Sequence, residues 1–84
     1  MELKDTISLM QSNDYKERFE AEYYQTVIRY KKLKKMVTDW TSGKLNFDPT
    51  CPLDTYQRQL KIMSDYIAVL QFRAMMEEVE VEEI

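Results

Sequence analysis

Apolar residues recur along this chain at spacings of three and four, and the pattern is interrupted twice. Leu3, Ile7 and Met10 mark one face of a short helix expected over residues 1–12. Ser12-Asn13-Asp14 breaks it, and Asp14 followed by Glu17 reads as a capping box that opens a new helix. Phe19, Tyr23, Thr26, Tyr30, Leu33, Val37 and Trp40 then form a continuous seam. Ser42-Gly43 ends it, with Gly43 suited to a left-handed C-terminal cap. Residues 42–52 read as a loop, with Phe47 expected to tuck back onto the helix ends. Pro52 opens the next helix with Asp54 in its first turn, and Leu53, Tyr56, Leu60, Met63, Ile67, Leu70 and Ala74 form a second seam. Each seam spans about 26 residues, or roughly 39 Å as a helix, and a short loop joins them. The expected fold is all-α, a short N-terminal helix followed by a long antiparallel hairpin over residues 13–78. Residues 79–84 form an acidic tail that either frays or lies strand-like on a neighbour.

A two-helix pair buries one face of each helix, and this chain has apolar residues to spare. Tyr24 and Ile28 fall off the first seam, and Ile62, Tyr66, Val69, Phe72 and Met76 fall off the second. The short N-terminal helix can cover a few of them. The remainder predicts a homo-oligomeric helix bundle with the Ile62–Met76 stripe as its interface.

Composition narrows the class. Among 84 residues, 44% are hydrophobic and 32% charged, as in a folded domain, while one glycine and two prolines favour long helices. A net charge of −3 argues against bulk binding of duplex nucleic acid. Cys51 is the single cysteine, which rules out an internal disulfide and fits a reducing cytoplasm. No long apolar run crosses a membrane, and the first residues do not resemble a signal peptide. Histidine is absent, removing the commonest general base and metal ligand, and no glycine-rich phosphate loop occurs. The expectation is a protein without catalytic residues, metal or cofactor.

One stretch departs from the acidic balance. RYKKLKK, Arg29 to Lys35, places five cations in seven positions. On a helix Tyr30 and Leu33 face the seam, Lys31, Lys32 and Lys35 face water, and Arg29 and Lys34 flank the seam. Two readings stay open: a solvated helix face, or an anion site built from Arg29 and Lys34 with Tyr23 or Tyr30 beside them. Tyrosine and arginine together suit a nucleobase and its phosphate, because the ring stacks while the guanidinium forks. Arg73 is a further candidate, with a salt bridge to Glu17, Glu20 or Glu22 as the structural alternative. In an antiparallel hairpin the basic stretch lies toward the loop and the five glutamates of residues 77–84 toward the open end.

Several residues carry a resemblance. Tyr15-Lys16-Glu17-Arg18 opening the first long helix, Cys51-Pro52-Leu53 opening the second, then Gln59, Met63, Tyr66, Leu70 and Arg73-Ala74, resemble a family of small phage and prophage proteins first catalogued in crAss-like phages. The likeness covers roughly residues 14 to 81. It departs where the family carries a Glu-Gly turn and this chain reads Met75-Met76-Glu77-Glu78-Val79. The architecture also resembles the hairpin sponges with which phages sequester cyclic nucleotide signals of bacterial immunity. These resemblances imply a phage accessory protein in the host cytoplasm that binds a cyclic oligonucleotide between subunits. The alternatives are a protein-directed inhibitor of a host defence effector, such as a CRISPR effector, and a structural or regulatory phage component.

Overall fold

A computed structural model describes residues 1–84. A 3₁₀ turn at Leu3–Thr6 runs into α1 (Ile7–Met10), followed by α2 (Tyr15–Thr41), α3 (Leu53–Met76) and a tail without regular structure. The fold is all-α and α2 and α3 form the hairpin, within a body of 43 × 24 × 19 Å. No helix is long and apolar enough to cross a membrane.

Local chemistry explains the helix ends. Asp14 caps α2, its Oδ1 accepting from the Lys16 amide at 2.9 Å. The expected capping box does not form, because the Glu17 carboxylate accepts from the Ser12 hydroxyl instead, at 2.9 Å. That hydroxyl also accepts from the Asp14 amide, so Ser12 ties the preceding turn to the new helix. At the far end Gly43 is left-handed with φ 75°, and the Lys44 amide returns to the Asp39 carbonyl at 2.8 Å. This is the Schellman arrangement, which satisfies carbonyls that the helix leaves open.

The same motif recurs at the end of α3 with a residue less suited to it. Glu78 takes φ 55°, and the Val79 amide reaches the Ala74 carbonyl at 2.9 Å. The chain thereby reverses and Val79 enters the core. Beyond it Val81 is half-buried, Glu82 and Glu83 are exposed, and Ile84 is half-buried. The tail folds back onto its own hairpin. It lies on α2, where the Glu82 amide donates to the Tyr24 hydroxyl at 2.9 Å.

Phe19, Tyr23, Tyr24, Val27, Ile28, Leu70, Ala74 and Val79 make the core, at the open end of the hairpin. Tyr24 and Ile28, surplus to a two-helix seam, are covered by the chain's own tail. Toward the loop the packing thins: Leu33 and Leu60 are only half-buried, and Trp40 meets Tyr56 edge-on at 6.1 Å. Phe47 is exposed, not tucked back. The N-terminal face also differs from the helical expectation, since Ile7 and Met10 are exposed while Leu3, Thr6 and Leu9 pack inward. A 3₁₀ turn has three residues per turn, so its inward face repeats every third residue.

Candidate functional site

Covering α2 on three sides leaves one of its faces open. Arg18, Ala21, Glu22, Gln25 and Arg29 follow one another at helical spacing along it, between α1 and α3. Met10 and Tyr66 add the walls of a groove of about 440 Å³. The small side chain of Ala21, buried, leaves room on its floor.

Its polar groups are held in place from below. Thr6 donates to the Leu3 carbonyl at 2.7 Å and accepts from Gln25 Nε2 at 3.0 Å, which leaves the Gln25 carbonyl free to accept. Arg18 Nη1 donates to the Ser12 carbonyl at 2.8 Å. The Tyr66 hydroxyl donates to Glu22 Oε2, and that carboxylate pushes the phenol above its ordinary value. The Tyr66 ring remains 40% exposed. Arg29 is exposed and forms no ion pair within the chain. The groove therefore offers a free guanidinium, a second one at its rim, an amide carbonyl and a partly exposed aromatic ring.

The basic stretch is dispersed around α2. Lys34 lies over the Tyr30 ring at 5.8 Å and does not line the Arg29 groove. The 140° that separate positions 29 and 34 on a helix are the reason. Tyr23 is 5% exposed and packs edge-on against Tyr24 at 5.6 Å, so its ring belongs to the core. Tyr30 is half-buried beside Lys31 and Gln71. Lys35 pairs with Asp39 at 2.7 Å. Lys31 and Lys32 line a separate recess together with Glu82 and Glu83 of the tail. The acidic tail and the basic stretch thus meet, where the hairpin plan alone put them at opposite ends.

Arg73 is fully engaged. Its Nε pairs with Glu77 at 2.9 Å, its Nη2 donates to the Tyr15 hydroxyl at 2.8 Å, and its guanidinium stacks 4.8 Å from the Phe19 ring centre. Its ion-pair partner is Glu77 one turn on, not Glu17, Glu20 or Glu22. Tyr15 in turn donates to Glu77 at 2.7 Å, and the two hydrogen bonds hold the Glu77 carboxyl below the ordinary glutamate range. The network locks the α3 terminus onto α2, which is a structural role.

The five stripe residues of α3 face outward: Ile62, Val69, Phe72 and Met76 are each more than half exposed, and Tyr66 slightly less. Cys51 is exposed and free, and no three metal-binding side chains converge anywhere.

A small all-α hairpin with a cation-bearing groove and an uncovered apolar helix face is the class of protein that these residues define. A family model described as Sequestin matches residues 13–76, and the chain belongs to that family. The match takes in the hairpin and stops short of the N-terminal turn and the tail. No curated protein and no solved structure is matched.

Proposed function

We propose that the protein acts by sequestration, holding a small anionic nucleotide stoichiometrically without turning it over. The observation that carries this reading is the unpaired Arg29 guanidinium in a groove walled by an exposed tyrosine. The family name, Sequestin, supports it in kind. Arg29 takes a phosphate, because a guanidinium forks onto phosphate oxygens in a fixed plane. Tyr66 replaces Tyr23 and Tyr30 as the surface on which a base stacks, and the Gln25 carbonyl accepts from an exocyclic amine or a ribose hydroxyl. A cyclic oligonucleotide fits this pattern of one anion beside one ring. No histidine occurs to serve as base, in keeping with a binder that is not an enzyme.

Tyr66 belongs to the apolar stripe as well as to the groove. A second copy docked on that stripe would close the groove, so the ligand lies between subunits of a homo-oligomer. In the setting that the phage-family resemblance implies, the ligand is an immune signal and the protein lowers its free concentration in the host cytoplasm. Capture of a host defence protein by tail and stripe is the competing reading. For that, the tail would first have to leave α2, where the Tyr24 hydroxyl holds the Glu82 amide.

Calorimetry with cyclic di-GMP, cyclic di-AMP, cyclic GMP-AMP and a cyclic trinucleotide tests the proposal, with thermal shift as a second readout. Arg29→Ala should weaken the bound nucleotide by about 2 kcal/mol or more, as loss of a charge-assisted hydrogen bond does. Lys34→Ala and Lys35→Ala should change little, since neither lines the groove. A flat profile across these variants, or no nucleotide bound, rejects the site.

A further inference from the structure

The second basic recess carries an inference of its own, independent of the Arg29 groove. Ile28, Lys31 and Lys32 share one face of α2, continuing the row begun by Tyr24. The tail follows that row. Val79 is buried beneath it, the Glu82 amide is fixed by the Tyr24 hydroxyl, and Ile84 packs against the core cluster. This path delivers Glu82 and Glu83 to the rim of a recess of about 490 Å³ that Lys31, Lys32 and the N-terminal Met1 also line. The segment Val81-Glu82-Glu83-Ile84 is therefore seated on the hairpin much as an external ligand would be, with apolar side chains inward and anions beside ammonium groups.

Two features make that occupancy replaceable. The carboxylates of Glu82 and Glu83 form no ion pair or hydrogen bond with the lysines, so the attraction acts across the recess without directional contact. Beyond the Val79 hinge a single hydrogen bond holds the tail, from the Glu82 amide. Glu82 also lies near enough to Glu20 to help raise its carboxyl, behind burial and the Glu17 and Asp14 charges, so the tail docks against some repulsion.

We infer that Lys31 and Lys32 form a second anion site, suited to the di- or triphosphate group of a nucleotide, which Glu82 and Glu83 occupy as a tethered competitor. A polyphosphate enters as the acidic end of the tail lifts off, while Val79 keeps the hinge in place. The tail thus sets the affinity threshold of the site and leaves the hairpin intact.

Inorganic tripolyphosphate is the probe, titrated by calorimetry into four forms of the full chain. Glu82→Gln with Glu83→Gln should tighten binding about three- to tenfold, as removal of two exposed competing charges does. Adding Lys31→Gln and Lys32→Gln to that variant should abolish the gain. Asp48→Asn with Glu80→Gln changes net charge equally at exposed sites outside the recess and should leave wild-type affinity. In methyl NMR of the wild type, Val81 and Ile84 should shift on adding probe while Val79 stays. Equal affinity of wild type and the Glu82/Glu83 variant overturns the inference, as does a gain that survives loss of both lysines or is matched by the charge control. Failure of nucleotide to bind at Arg29 would leave all four titrations unaffected.

Discussion

Two residues, Gly43 and Glu78, perform the same backbone task at the ends of α2 and α3, and only one is suited to it. A left-handed residue with a Cβ costs about 1–2 kcal/mol, offset in part by the roughly 0.5–1 kcal/mol of extra chain entropy that glycine loses on folding. Glu78→Gly should therefore raise unfolding free energy by up to about 1 kcal/mol, read from urea denaturation, because the Glu78 side chain forms no ion pair that the change would remove. Its carbonyl, which accepts from Lys16, is kept. Gly43→Ala should have the opposite sign and similar size. Carboxyl chemistry at this same end predicts an acid response in two parts. Burial raises Glu20, so stability grows as pH falls through its folded value toward the ordinary glutamate value. The Tyr15 and Arg73 hydrogen bonds lower Glu77, so its contribution is present above the ordinary value and is lost as pH falls through the depressed one. Denaturant midpoints measured from pH 7 down to pH 3 should rise slightly and then fall. Glu77→Gln should flatten the fall and leave the rise.

At the scale of elements, the hairpin was legible because two uninterrupted seams and one Gly-bearing break leave few other ways to fold. The depth of each seam position was not. Periodicity places Leu33, Leu60 and Leu70 on equal terms, yet Leu70 is fully buried while the other two are half-exposed. The difference arises because α1 and the tail converge on the open end of the hairpin, whereas toward the loop end of α2 only Val37 is buried. Leu70→Ala should cost about 2–5 kcal/mol, whereas Leu33→Ala and Leu60→Ala should cost about half as much or less, since burial sets the transfer term. Equal losses in thermal unfolding would mean that the loop end is packed as tightly as the core. The groove escaped the sequence reading for a related reason. Arg18, Glu22, Gln25 and Arg29 make a polar stripe on α2, and a polar stripe looks like solvated surface until α1 and Tyr66 wall it in. The tail was misjudged because its alternating valines and glutamates specify an extended segment without saying which surface it covers.

At the scale of the whole molecule, one apolar face has no partner within the chain. Ile62, Tyr66, Val69, Phe72 and Met76 run for about 21 Å along α3, a continuous stripe of the kind that marks an interaction surface. The tail and α1 are both spent on α2, so neither can cover it. The proposed self-association through this stripe would give each copy an isologous surface, with the Tyr66 ring contributing to interface and groove together. In that assembly ligand and second copy would be linked: what tightens one must tighten the other by the same factor. Val69→Glu with Phe72→Glu places two carboxylates in the middle of the stripe without touching a buried side chain. Sedimentation should show this variant as a folded monomer where the wild type associates, because an unpaired charge is costly at a dry interface. Its nucleotide affinity should fall although every polar group of the groove is unchanged, and adding nucleotide to the wild type should shift its association to lower protein concentration. A wild type that stays monomeric at micromolar concentration with and without nucleotide would refute the assembly. Calorimetry on the same sample would then tell whether the Arg29 groove binds as an open site on a single chain.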